Sequence, residues 1–137
     1  MRIAIAGVPR AGKTTLCAGL GDLVLHTDDL MSLGWSECSA AAAAWMTRAG
    51  SWVVEGVAVA RALRKAMAAS PATPCDRVIH MTRPRVPLTK GQVVMARGCL
   101  TVWLAIEPEL RRRGVEILTD PEPGLAHAWL ASLGAMQ

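Results

Sequence analysis

The sequence predicts an α/β fold, a parallel five-stranded sheet with helices on both faces. Three observations carry the prediction. Short apolar runs alternate with helical patterns along the 137 residues, and such β-α-β connections produce parallel strands with helices on the faces. The first run, Ile3-Ala4-Ile5-Ala6, is uncharged and leads directly into Gly7-Val8-Pro9-Arg10-Ala11-Gly12-Lys13-Thr14. Carboxylates end the next two runs, Asp28 and Asp29 after the second and Glu55 in the third, where such folds collect their ligands.

Taken in order, the first strand feeds a helix that starts near Lys13 and ends at the Gly19–Gly21 pair, since glycine favours helix C-termini. Val24 to Thr27 is a second short strand. Ser36 is a plausible N-cap for a helix running through the alanines to Arg48, with Gly50 stopping it. Ser51 to Gly56 is the third strand. Residues 58–69 are helical, with Leu63, Ala66 and Met67 on one face and Arg61, Arg64 and Lys65 on the other. After the Ser70–Pro74 loop, Arg77 to Thr82 is the fourth strand. Thr89-Lys-Gly-Gln92 fits a capping box for a helix over 90–97. Gly98 is expected to interrupt it, Thr101 to start another, and Pro108 to kink or divide that one before Gly114 closes it. Val115–Leu118 is a last strand and Leu125–Leu133 a terminal helix, with Trp129 facing in.

The length favours a single domain, 1–137, and at 52% hydrophobic it can bury a core. A basic lid-like segment is expected around 83–98. Cys17, Cys38, Cys75 and Cys99 show no zinc or C-x-x-C spacing and are expected as reduced thiols in a cytoplasmic protein, Cys17 buried. No signal peptide is expected, because the first apolar run feeds the glycine-rich loop. Ala40–Ala44 is too short for a membrane span. Charge is uneven. Residues 57–106 hold eight cationic side chains against Asp76 alone, a net of +7. That excess suggests a polyanionic partner or a very basic lid, although a solvated helix face accounts equally for Arg61, Arg64 and Lys65.

Gly7 to Thr14 reads G-x-x-x-x-G-K-T between a strand and a helix, the context that separates a P-loop from a chance match. A mere glycine-rich turn would not need the strand, both glycines, the Lys and the Thr together. The expected architecture is therefore a P-loop NTPase three-layer sandwich. Backbone N–H groups of the Gly7–Thr15 loop, Pro9 excepted, and the helix N-terminus would surround phosphates. Lys13 would reach the β- and γ-phosphates of ATP, and Thr14 would hold Mg²⁺. A hydroxyl acceptor needs a base, and Asp28 is placed to serve, with Asp29 orienting an arginine or capping the next helix. A plain helix cap is the competing role for both. Glu55 stands where a Mg²⁺-linked carboxylate is expected, though Asp is the usual residue there and Glu can instead contact water or the acceptor. His26, a lone histidine on the strand, fits a core or hydrogen-bonding role better than catalysis. Trp35 and Trp103 are placed near loop or lid segments, and Trp45, Trp52 and Trp129 in the core.

With Gly7-Val-Pro9-Arg-Ala11-Gly12-Lys13-Thr14-Thr15 and Asp28-Asp29 both in view, the chain resembles the P-loop kinases, and within them the polynucleotide-kinase-like branch. Val53-Val54-Glu55-Gly56 is a broader likeness, shared with nucleoside kinases similar to uridine kinase. The resemblance covers about the first 56 residues. It implies ATP, Mg²⁺, and Asp28 as the general base. Family lids carry paired arginines, for which Arg83, Arg85, Lys90 and Arg97 are the candidates, Arg83 and Arg85 foremost. It is similar to small phage kinases that phosphorylate 5-hydroxymethyluracil in DNA, which would place it in the host cytoplasm. The expected function is transfer of the γ-phosphate of ATP to a hydroxyl of a nucleic-acid or nucleotide acceptor, with DNA and no membrane as partners. A kinase for a nucleoside, a nucleoside monophosphate or another small metabolite stands as the alternative, and a non-kinase ATPase as a third.

Overall fold

The computed structural model describes residues 1–135. The apolar runs become strands β1 (Arg2–Gly7), β2 (Val24–His26), β3 (Trp52–Gly56), β4 (Arg77–Met81) and β5 (Glu116–Thr119). They form one all-parallel sheet in the order β2-β3-β1-β4-β5. β1 and β3 are central and nearly wholly buried, which is why they contain almost no polar alternation. The helices are α1 (Lys13–Leu16), α2 (Trp35–Trp45), α3 (Val59–Ala69), α4 (Lys90–Arg112) and α5 (Pro123–Ala135).

Two cores lie on the two faces. Ala4, Ala6, Val54 and Val78 point toward α2, α3 and α4, where Leu63, Trp103, Ile106 and Leu110 meet them. Ile3, Ile5, Val53 and Ile79 point the other way, toward Leu16 and Cys17 and toward Leu130 and Leu133 of α5. Alternate residues of one strand thus serve opposite layers. The expected α/β architecture, with helices on both faces of a parallel sheet, is what forms. No helix among the described residues is long and apolar enough to cross a membrane.

Several elements depart from the sequence expectation. α1 is a single turn, because the amides of Cys17 and Ala18 bond three residues back, to Thr14 and Thr15, and tighten the chain into a turn. Thr27 leaves the sheet and opens a 3₁₀ turn to Leu33. Gly34, not Ser36, precedes α2, and Ser36 instead accepts from Lys65 Nζ through its carbonyl at 2.8 Å and its hydroxyl at 3.2 Å. α4 runs unbroken for 23 residues through Gly98 and Pro108. A Cβ at Gly98 would lie 2.9 Å from Arg61 Nη2, so the glycine gives α3's arginine room to cross α4. Pro108 cannot donate to the carbonyl of Leu104, but both residues are exposed, and water can take that carbonyl. The capping box forms as expected: Thr89 accepts from the Gln92 amide and Gln92 from the Thr89 amide. Trp103 is not near a lid surface. It is 2% exposed and stacks on His80. Trp52 is buried, while Trp45 and Trp129 are half-buried, Trp129 packing against the second core.

Candidate functional site

The strand order decides the site. β3 pairs with β1 so that Glu55 lies opposite Ile5 and Gly56 opposite Ala6. On its other side His26 of β2 lies opposite Glu55. The loop leaving β1 and the carboxylate ending β3 therefore emerge side by side at the carboxyl edge. Glu55 is 1% exposed, and a carboxylate so buried needs partners. It has two: Thr14 Oγ1 donates to Oε1 at 3.2 Å, and His26 Nδ1 lies 2.8 Å from the same oxygen.

The 7–14 loop is shaped by close approaches. A Cβ on Gly7 would collide with the Met81 carbonyl, to which Val8 N donates at 3.0 Å. Gly12 has φ +88°, and a Cβ there would enter the Arg85 guanidinium. Arg10 holds a left-handed φ of 63°, a conformation costly outside glycine, and its carbonyl is fixed by the Arg85 amide at 2.8 Å. Lys13 is buried, with Nζ donating to the carbonyls of Gly7, at 3.3 Å, and Val8. Burial lowers its pKa below the usual lysine value, against the opposing pull of Glu55 and Asp28. Because α1 is one turn long, its dipole contributes little here. The local positive charge belongs to Lys13, Arg10 and Arg85.

Together these elements bound a cleft of about 540 Å³. Pro9 through Thr15, Asp28, Glu55 and Arg85 all line it. Gly7 and Val8 stand behind it, holding Lys13 through their carbonyls. Asp28 lines the cleft and Asp29 does not. Arg83 also lies outside: it is exposed, with its guanidinium 3.9 Å from Asp120. The two arginines proposed as a pair thus face different neighbours. Met31, Gly56, Val57, Val86, Gln92 and Met95 complete the lining; Met31, Val57, Val86 and Met95 carry no signal in the sequence, and Gln92 only that of a helix cap. His26 was singled out for hydrogen bonding, but its link to Glu55 depends on the β2-β3 pairing.

The oxygen donors are of the kind a hard cation takes. A hydroxyl (Thr14) and a carboxylate (Glu55) share one point, and Mg²⁺ takes few protein oxygens and completes its shell with phosphate and water. Among the described residues no group of three or more His, Cys, Asp or Glu side chains could hold a metal unaided. The glycine positions leave the loop's inner side clear for an anion. No protein-family model matches this chain, and no curated protein matches it.

Proposed function

We propose that this chain is a P-loop phosphotransferase that moves the γ-phosphate of ATP, with Mg²⁺, to a hydroxyl of a nucleic-acid or nucleotide acceptor. The observation that carries this reading is the convergence of Thr14, Glu55, Lys13, Arg85 and Asp28 on one cleft at the carboxyl edge of the sheet. Thr14 and Glu55 would hold Mg²⁺, which would supply neutralisation of phosphate charge there, and His26 fixes the orientation of Glu55. Lys13 exchanges the Gly7 and Val8 carbonyls for phosphate oxygens. Arg85, packed against Gly12, adds positive charge beside the loop. Asp28 accepts the proton of the acceptor hydroxyl at its carboxylate, which raises the nucleophilicity of a group that is weak at neutral pH. A base such as 5-hydroxymethyluracil in DNA is the sharpest candidate acceptor.

One observation favours the second reading, a free nucleoside, nucleotide or other small acceptor. The basic residues of the middle segment are dispersed. Lys65 donates to Ser36, Arg61 lies over the Trp35 ring at 5.0 Å, Arg77 faces Trp129 and Glu116, and Arg83 faces Asp120. A salt titration separates the two readings. Binding to a duplex should weaken with a slope of about −0.9 per phosphate contact, and replacing Arg61, Arg64 and Lys65 by Gln should flatten it. A small acceptor would give a flat response. The reaction itself is tested with γ-labelled ATP and a panel of unmodified DNA, hydroxymethyluracil DNA, RNA ends, nucleosides and nucleoside monophosphates. Label on an acceptor supports the proposal, and phosphate release that ignores every acceptor supports a plain ATPase instead.

A further inference from the structure

A second pocket lies behind the glycine-rich loop; no residue lining it lines the first cleft, although Gly7 and Val8, whose carbonyls hold Lys13, form part of its wall. It holds about 220 Å³ between the ends of β1 and β4 and the first half of α4. That is below the roughly 300 Å³ at which drug-sized ligand sites begin, so it suits a ring system rather than a nucleotide. Leu88, Val93, Ala96 and Leu100 give it apolar walls. Thr82, Cys99 and the exposed Arg97 line it as well, so a cationic guest would meet a like charge and a polyhydroxylated one would face mostly apolar wall.

One buried polar group faces into this pocket. His80 is 5% exposed and lines it, and among the described residues its imidazole makes no hydrogen bond. Its ring stacks on Trp103, centroids 4.1 Å apart and planes 21° from parallel. Its ring nitrogens are not enclosed: among the described residues the enclosed side-chain polar atoms without a partner are Thr27 Oγ1 and Arg61 Nη1, so the imidazole opens onto the pocket. Burial pushes the His80 pKa down, so near pH 7 the ring is neutral and offers one N–H and one bare nitrogen. A guest with a ring nitrogen or ring N–H would satisfy it, and the aliphatic walls leave room for a flat shape.

We propose that this pocket binds a flat, uncharged heteroaromatic molecule through a hydrogen bond to His80, independently of the cleft in front of the loop. The proposal does not depend on the kinase reading. It is tested with benzimidazole, neutral at pH 7.5, titrated into the full chain while ¹H–¹⁵N imidazole correlations are followed. His80 resonances should shift while those of His26 and His127 stay in place, and saturating ATP with Mg²⁺ should leave the shift unchanged. Ala96→Phe fills the pocket from α4 and should abolish the response in a protein whose circular dichroism is unaltered. If that variant fails to fold, His80→Leu decides the question by saturation-transfer signals from the probe, with affinity expected to fall about fivefold to tenfold for one lost hydrogen bond. Absence of a His80 shift, a shift reversed by ATP, or binding unaffected in the variant that folds would each overturn the proposal.

Discussion

Lys13 is an ammonium buried in the body of the protein, and burial disfavours its charged form. Its folded pKa lies below that of the unfolded chain, so the folded state holds fewer protons between the two values. Stability therefore rises as pH climbs through that window and is lowest, for this group, where both states are protonated. Lys13→Met should melt at a higher temperature than the parent at pH 7, with the gap narrowing as pH rises toward 10.5. The same variant should lose phosphoryl transfer. A lower melting temperature would mean that the bonds to Gly7 and Val8 outweigh the burial cost. Glu55 makes a second residue-scale prediction. Glu55→Gln should raise the Mg²⁺ concentration needed for half-maximal turnover, and His26→Ala should raise it by a smaller factor, since His26 only orients the carboxylate. Reduced turnover at an unchanged Mg²⁺ requirement would move Glu55 to the acceptor instead.

At the scale of elements, α4 shows how local signals and tertiary packing divide the work. Its start was legible: Thr89 and Gln92 form the reciprocal bonds that their spacing implies. Thr89→Ala should cost about 1 kcal/mol. Gly91→Ala, where a Cβ would meet nothing within 4 Å, should add about 0.5 kcal/mol. Urea unfolding of the two variants checks the pair, and a neutral Thr89→Ala would show that the cap frays in solution. The middle of α4 was not legible. Gly98 looks like a helix break in one dimension and is a crossing point for Arg61 in three. Trp103 reads in sequence as lying near a lid segment, yet its side chain is buried and stacks on His80, between the exposed Leu100 and Leu104. In the site, the 7–15 loop, Asp28 and Glu55 could be read from local pattern. The union of His26 with Glu55 and of Arg85 with Gly12 could not, because each depends on pairing between segments far apart in the chain.

Across the whole molecule every thiol is buried, Cys75 and Cys17 within the two cores, Cys38 beside Thr27 and Cys99 at the second pocket. Cys17 and Cys75 are pushed up to about 12 by burial, and Cys38 and Cys99 are raised for the same leading reason. All four are free and buried. A thiol reagent too large for the pocket that Cys99 lines should therefore, at pH 8, label none of them faster than the chain unfolds, and all four should react together in denaturant. One thiol reacting early would reveal local opening of its layer. The two faces also place the chemistry: α2, α3 and α4 on one side and α1 and α5 on the other leave the carboxyl edge open, with the glycine-rich loop and the Asp28 and Glu55 carboxylates converging there.

The proposed reaction is phosphoryl transfer from ATP to a hydroxyl, with Asp28 taking the proton. Single-turnover transfer of label from γ-labelled ATP to the best acceptor of the panel, compared for the parent, Asp28→Asn and Asp29→Asn, tests it most directly. The expected result is labelled acceptor with the parent, a rate lowered by roughly two to four orders of magnitude for Asp28→Asn at unchanged ATP affinity, and a rate within severalfold of the parent for Asp29→Asn, whose side chain lies outside the cleft. Label that appears only as free phosphate, or a parent-like rate in Asp28→Asn, would contradict it.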